Sequence, residues 1–281
     1  MLKDKLNLRK VATIVACLAV TTMFSGCKDK EVNQPPTCTI TSPTNNADFF
    51  ASENITVAVT ADVKGGTIAE VRLYVDNVGH SSVSAFPYNF TLNAGTLTHG
   101  THTLKAEAID NKGEKGVSTV NITVKPLTIG MSYQGGKIAY IDATGLHGLI
   151  AAPEDQSTSE NILWWNGTDI ITEAIGTTIG TGKSNTDKIV TAQGNGSYAA
   201  KLCKDLTLGG YNDWYLPSID ELDELYKNRV AIGGFTTSGN ERYWSSSEVS
   251  NSAALRLGFS DGSRVVRSKR YECRVRAVRT F

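Results

Sequence analysis

Ile55-Thr56-Val57-Ala58-Val59-Thr60 decides how the first half of this 281-residue chain folds. Apolar and polar residues alternate with a period of two, and most are β-branched, so an extended strand buries one face and wets the other. The pattern recurs downstream. Val71, Leu73 and Val75 alternate with Arg72, Tyr74 and Asp76, and Leu104, Ala106 and Ala108 with Lys105, Glu107 and Ile109. Cys38–Ile40, Tyr88–Leu92 and Val117–Val124 are further candidate strands, separated by turn signals at Gly65-Gly66, Asp76-Asn77 and Asp110-Asn111-Lys112-Gly113. No amphipathic helix interrupts them, so residues 37–126 are expected to form an all-β sandwich. His80, His99 and His102 lack metal-ligand spacing, and no zinc site is expected.

Upstream lies a leader. Lys3, Lys5, Arg9 and Lys10 precede an apolar run from Val11 to Phe24, long enough for a secretory signal and too short to span a bilayer. It ends in Phe24-Ser25-Gly26-Cys27, which resembles the lipobox of bacterial lipoproteins, although Phe24 stands where a small aliphatic residue is usual. The resemblance implies a signal peptide over residues 1–26 and a lipid-modified Cys27. Two or three acyl chains anchor a protein stably. Lys28-Asp29-Lys30-Glu31 resembles the export signal that carries Bacteroidota lipoproteins to the outer face of the outer membrane, and residues 27–36 read as a tether. Surface exposure on that membrane is the expected location.

Composition narrows the classes. With 40% hydrophobic and 20% charged residues and a formal net charge of zero, the chain is neither disordered nor multi-spanning, and nothing calls for nucleic acid. Without the leader it carries 24 basic and 27 acidic residues, a net of −3. The segment from Arg256 to Phe281 departs from this balance, with eight basic residues and two acidic ones.

Residues 127–281 read as a second domain of mixed type. Gly135–Asp142, entered through glycines, and His147–Pro153 are candidate strands, and Ser197–Leu206 has helical spacing. Pro217-Ser218-Ile219-Asp220-Glu221-Leu222 is a capping box: Ser218 can accept from the Glu221 N–H, and Glu221 can reach back to that of Ser218. The carboxylates of Asp220, Glu221, Asp223 and Glu224 are expected to cap the helix and face solvent, not to bind a metal. Tyr243–Glu248, Ala254–Phe259 and Arg264–Val266 are strands, with a hairpin at Asp261-Gly262, and the last strand is expected over Tyr271–Val278.

Two resemblances sharpen this picture. Ile40-Thr41-Ser42-Pro43, Val71–Asp76, Pro87-Tyr88, Gly100–Leu104 and Ala108-Ile109-Asp110 resemble the bacterial immunoglobulin-like family, whose members mostly act as spacers. Tyr133-Gln134-Gly135-Gly136, Ala151–Gln156, Ile179–Gly182, Asp213–Ser218, Ile232–Phe235, Tyr243–Glu248 and Val275–Arg279 fall in the order of the Lcl C-terminal domain family. That resemblance implies an α+β C-type lectin-like fold, similar also to the formylglycine-generating enzyme. In such folds a disulfide joins a helix to the last strand. Cys203 and Cys273 are therefore expected to pair, with two separate buried thiols as the alternative, and Cys38 has no assigned role. The family's best-studied member binds sulfated glycosaminoglycans, and its adhesin context makes a trimer worth testing.

Function is expected in this second domain. Arg264, Arg267, Lys269 and Arg270 lie on or beside a loop, where guanidinium and ammonium groups match sulfate and carboxylate. Arg274, Arg276 and Arg279 are candidates for internal ion pairs instead, with Glu248 or the acidic helix that begins at Ser218 as partners. Trp164 and Trp165 could stack on sugar rings or belong to the core. These residues imply a non-catalytic surface adhesin for anionic or sulfated glycans or matrix. Alternatives are a calcium-dependent sugar-binding module and a scaffold without a small ligand. Asn212, Asp213, Glu248, Asn251 and Asp261 are suitable calcium ligands, but the lectin order Trp-Asn-Asp is absent. An enzyme is not expected: His147 is the one histidine of the domain, no Ser-His-Asp spacing or CxxC occurs, and Gly180-Thr181-Gly182-Lys183 lacks a full phosphate-loop pattern. No cofactor is expected beyond a possible calcium ion.

Overall fold

The computed structural model describes residues 34–156, 162–236 and 241–281. Cys27, the leader over 1–26 and the first part of the tether lie outside the described residues.

The alternating runs form the sandwich. One sheet holds β1 (Thr37–Ser42), β3 (Ile55–Asp62) and β6 (Tyr88–Leu92) in the order β1-β3-β6. The other holds β2 (Ala47–Phe50), β4 (Ile68–Val75), β5 (Val78–Val83), β7 (Gly100–Asp110) and β8 (Lys115–Lys125), ordered β2-β8-β7-β4-β5. Ile55, Val57 and Val59 of β3 pack against Val71, Leu73, Leu104, Ala106 and Ala108 in one core, as the period of two requires. The short β2, parallel to β8, and the largely exposed β5 join the expected strands.

The second domain is held by short elements. A four-stranded sheet, ordered β17-β11-β10-β9, contains β9 (Ser132–Tyr133), β10 (Gly136–Ile141), β11 (Gly148–Ala151) and β17 (Val278–Thr280). A second sheet follows the order β13 (Arg242–Glu248), β14 (Ala253–Gly258), β15 (Arg264–Ser268), and β12 (Ile162–Leu163) pairs with β16 (Glu272–Cys273). The helices are α1 (Gly182–Gln193), α2 (Ala199–Lys204), α3 (Ile219–Lys227) and α4 (Arg229–Ile232). The capping box of α3 is complete: the Glu221 N–H donates to Ser218 Oγ at 3.3 Å, and the Ser218 N–H donates to Glu221 Oε2 at 2.8 Å.

The final segment corrects the expected strand over Tyr271–Val278. The chain forms β16, leaves the ladder, and re-enters it as β17. Cys273 therefore sits opposite Ile162 and not on the terminal strand. The Cys203–Cys273 bridge is likewise not formed: both sulfurs are buried thiols, Cys203 on α2 and Cys273 beside Arg256 at 3.4 Å.

Three rings bridge the two domains. Phe50 of the sandwich meets Tyr133 edge-on at 5.3 Å, and Tyr133 meets Phe281 at 5.6 Å, while Ser52 Oγ lies 3.1 Å from the Tyr133 hydroxyl.

Candidate functional site

The basic tail divides by burial. Arg276 is fully buried on the stretch between β16 and β17. It ion-pairs with Asp155 at 2.7 Å and donates to the carbonyls of Ala152, Pro153, Gly233 and Gly234, with its guanidinium 4.0 Å from the Phe235 ring centroid. Arg279 pairs with Asp213 at 2.7 Å and donates to Gln134, and that guanidinium holds the Asp213 carboxyl below its usual range. Arg274 pairs with Glu241 at 2.7 Å. The internal use expected of these three is thus seen, through Asp155, Asp213 and Glu241 and not through Glu248 or the acidic helix.

Two residues expected on the binding surface lie in the interior. Lys269 is fully buried: its Nζ donates to Glu248 Oε1 at 2.5 Å and to the carbonyls of Ile170 and Asn251. Burial pushes its ammonium below the ordinary lysine range, against the pull of Glu248. Trp164 is also fully buried, 4.4 Å beneath that ammonium, and its Nε1 donates to the Ser245 carbonyl at 2.8 Å. Both serve the core and not a ligand, because the loop over 164–172 has no ladder and its backbone must be satisfied from within.

Of the remaining residues, Arg267 shares a face of its sheet with Arg256, and Arg264 points to the opposite face. Arg264 on β15 is exposed but spans Asp220 at 2.6 Å and Asp223 at 3.2 Å, tying the hairpin to α3. Arg270 is 61% exposed, pairs with Asp169 at 2.7 Å and lies 4.9 Å over the Trp165 ring. Arg267 is exposed, contacts no carboxylate among the described residues, and lies 5.0 Å over the ring of Tyr271. Arg256 approaches the same ring at 5.8 Å. Tyr271, itself 50% exposed, was not among the expected site residues. Its place directly after Arg270 in the basic tail was the available signal. The indole Nε1 of half-buried Trp165 and the Nε of Arg256 are both buried without a hydrogen-bond partner among the described residues. The result is a face of guanidinium groups laid on aromatic rings, which can present charge and a flat apolar surface together.

The suggested calcium ligands do not fit an ion. Asp213 is held by Arg279, Glu248 by Lys269 and Asp261 by Arg242 at 3.1 Å. Among the described residues no group of three histidine, cysteine or carboxylate side chains converges. Gly180-Thr181-Gly182-Lys183 enters α1, and the Gly180 N–H donates to the buried Glu221 carboxylate at 2.8 Å, so that amide is already engaged.

Residues 155–279 match the family model of the Lcl C-terminal domain. Residues 36–106 match that of a bacterial Ig domain. Together they account for the two domains seen. No curated protein matches the chain. Among solved structures it is similar to the fibronectin(III)-like modules of Clostridium thermocellum CbhA, at 26% identity and a TM-score of 0.30, covering 32% of this chain and 47% of that one. It is also similar to a fimbrial protein from Bacteroides ovatus, at 12% identity and a TM-score of 0.41, covering 88% of this chain and 70% of that one. The chain thus spans less than half of the first of these structures.

Proposed function

We propose that this protein is a non-catalytic surface adhesin, with a C-type lectin-like terminal domain that binds anionic or sulfated glycans or matrix. In this proposal Cys27 carries the lipid anchor at the outer membrane, and the Ig domain holds the terminal domain away from it. One observation carries the binding half: Arg267 is exposed, unclaimed by any described carboxylate, and laid on the half-exposed ring of Tyr271, with Arg256 and the Arg270–Trp165 pair alongside. An anionic sugar could place its charge on the guanidinium groups and its ring on the aromatic faces. Trp165 remains in the proposed site; Lys269 and Trp164 leave it.

The test is retention on immobilised heparin at low and moderate salt. Arg267→Ala and Arg270→Ala are expected to elute earlier, and the double variant earlier still with a shallower salt dependence. Unchanged retention of the double variant rejects the face. Anchoring is read separately, by loss of fatty-acid labelling in Cys27→Ser; labelling that persists rejects it.

One observation favours a second reading, a scaffold without a small ligand. Six of the eight basic residues between Arg256 and Phe281 are paired with internal carboxylates. Heparin indifference would favour it.

A further inference from the structure

A groove with a different chemistry opens where β10, β11 and β17 end. Its volume is about 400 Å³, within the range of small-molecule sites. Tyr140, Asp142, His147, Leu149, Ile179 and Phe281 line it, and Thr280 adds a hydroxyl. None of them belongs to the cationic face.

The groove is built by backbone and packing. A Cβ on Gly148 would lie 2.0 Å from the Tyr140 carbonyl oxygen and 2.8 Å from the Phe281 ring, so glycine is what lets that ring come down against the strand. Phe281 is braced from behind by Tyr133, and Tyr133 by Phe50 of the sandwich. On the other side Ile179 leaves 40% of its surface open at the groove, held there by the Gly180–Glu221 hydrogen bond of the next residue.

Its polar groups are few and available. Asp142 Oδ1 accepts the N–H of Thr144 at 3.0 Å and the Thr144 hydroxyl at 2.5 Å, which keeps the carboxyl below its usual range. Among the described residues the Tyr140 hydroxyl, the His147 ring nitrogens and the Thr280 hydroxyl make no hydrogen bond, and the backbone of His147 adds to the hold on the Asp142 carboxylate. Acceptors and donors are therefore both on offer, beside two aromatic rings.

We infer that this groove is a second binding site, for a neutral hexopyranose at the end of an uncharged glycan. The rings of Tyr140 and Phe281 suit the C–H face of a pyranose, and the carboxylate, imidazole and hydroxyl groups match its hydroxyls, which are at once donors and acceptors. The fixed negative charge of Asp142 repels sulfated and uronic sugars, which are left to the Arg267 face. The two sites thus select opposite classes of glycan, and this inference stands independently of the cationic one.

The test uses the mature chain with both domains. Ligand-observed NMR and calorimetry are run with methyl mannoside, methyl galactoside, N-acetylglucosamine and cellobiose, and with glucuronate as the anionic control. At least one neutral sugar is expected to saturate the protein in the millimolar range, and glucuronate is not. Asp142→Asn should weaken the neutral sugar about tenfold and narrow the discrimination against glucuronate. Ile179→Trp should fill the groove and abolish binding, with circular dichroism confirming the fold. Should Ile179→Trp fail to fold, Asp142→Asn carries the test alone. Arg267→Ala should leave sugar binding untouched, just as the groove variants should leave heparin retention untouched. The inference is overturned if no neutral sugar of the panel saturates at about 20 mM. It is also overturned if binding survives a folded Ile179→Trp, or if Asp142→Asn changes neither affinity nor selectivity.

Discussion

The sandwich and the terminal domain solve the same problem by opposite means. In the sandwich most residues sit in strands paired by ladders, and the strands bury Ile55, Val57, Val59, Leu73, Leu104 and Ala106 in an apolar core. The terminal domain has stretches without a ladder, over 152–156, 164–181 and 233–236 among others. Buried carbonyls there still need donors. Arg276 supplies four of them and Lys269 two, while Ser245, Ser246 and Ser247 bind further backbone and side-chain groups. A basic segment that reads as a ligand surface is, for most of its length, internal stitching. That is why counting charge overstates the binding face.

The largest expected effect breaks a stitch. Arg276→Ala takes the shared donor from the carbonyls of Ala152, Pro153, Gly233 and Gly234 and leaves Asp155 with only Tyr243 and Arg274, at a cost of about 5 kcal/mol. Urea unfolding followed by tryptophan fluorescence reports this domain alone, because Trp164, Trp165, Trp214 and Trp244 all lie in it. An unchanged midpoint would end the comparison. The Lys269–Glu248 pair gives a finer test. Lys269→Met alone should cost about 3 kcal/mol. A simple buried ion pair would be relieved by adding Glu248→Leu, since apolar replacements of such pairs are often neutral. Here the double variant should stay destabilised, because the carbonyls of Ile170 and Asn251 and the N–H of Thr172 remain unpaired. Full recovery would show an ion pair and no stitch.

These contrasts also set what was legible beforehand. Six strands of the sandwich follow from alternation, but β5 buries almost nothing and so carries no pattern. Helix α3 announces itself through Ser218 and Glu221, whereas α1 turns Gly182, Asn185, Thr186 and Ile189 inward, a mostly polar set that no hydrophobic period reveals. Glu221 was expected at a wetted helix start and is fully buried, accepting from Gly180, Ser218 and the Tyr215 hydroxyl, with burial raising its carboxyl. In the candidate site, Trp164 and Trp165 are neighbours with opposite fates, as are Lys269 and Arg270. What separates Lys269 is Glu248, 21 residues earlier, and no local pattern encodes that meeting.

The sandwich has a polar clamp at His102, and its effect should be small. His102 Nδ1 lies 2.7 Å from Asp76 Oδ2 and Nε2 lies 2.8 Å from the Thr98 carbonyl. Both partners are acceptors, so only the charged imidazolium can donate to each. Burial works against that charge, but the two acceptors win and the His102 value is raised. Its contribution is full below the unfolded value of about 6.5 and is lost as pH rises through the raised folded value. Burial also opposes the Asp76 charge, yet the Thr103 N–H and His102 hold its carboxyl below the usual range. The Asp76 contribution is present above about 3.9 and is lost as pH falls through the depressed folded value. The sandwich should therefore be most stable between about pH 4 and 6.5, by under about 1 kcal/mol, and His102→Gln should remove the decline above that window. Urea midpoints from sandwich methyl resonances read this. A His102→Gln profile that still declines would assign the pH dependence elsewhere.

The smallest effect on stability belongs to Arg267, and its smallness is the point. It is exposed, faces no described carboxylate and touches the Tyr271 ring from outside, so Arg267→Ala should move the fluorescence-detected urea midpoint by less than about 0.5 kcal/mol. Arg276→Ala, the same change in the same tail, should move it about tenfold more. If Arg267→Ala proved comparably destabilising, Arg267 would be one more stitch, and only the partly buried Arg256 would remain in the tail without a described carboxylate. If stability holds while heparin retention falls, the tail divides into residues that keep the domain folded and an exposed set around Arg267 that is available to bind.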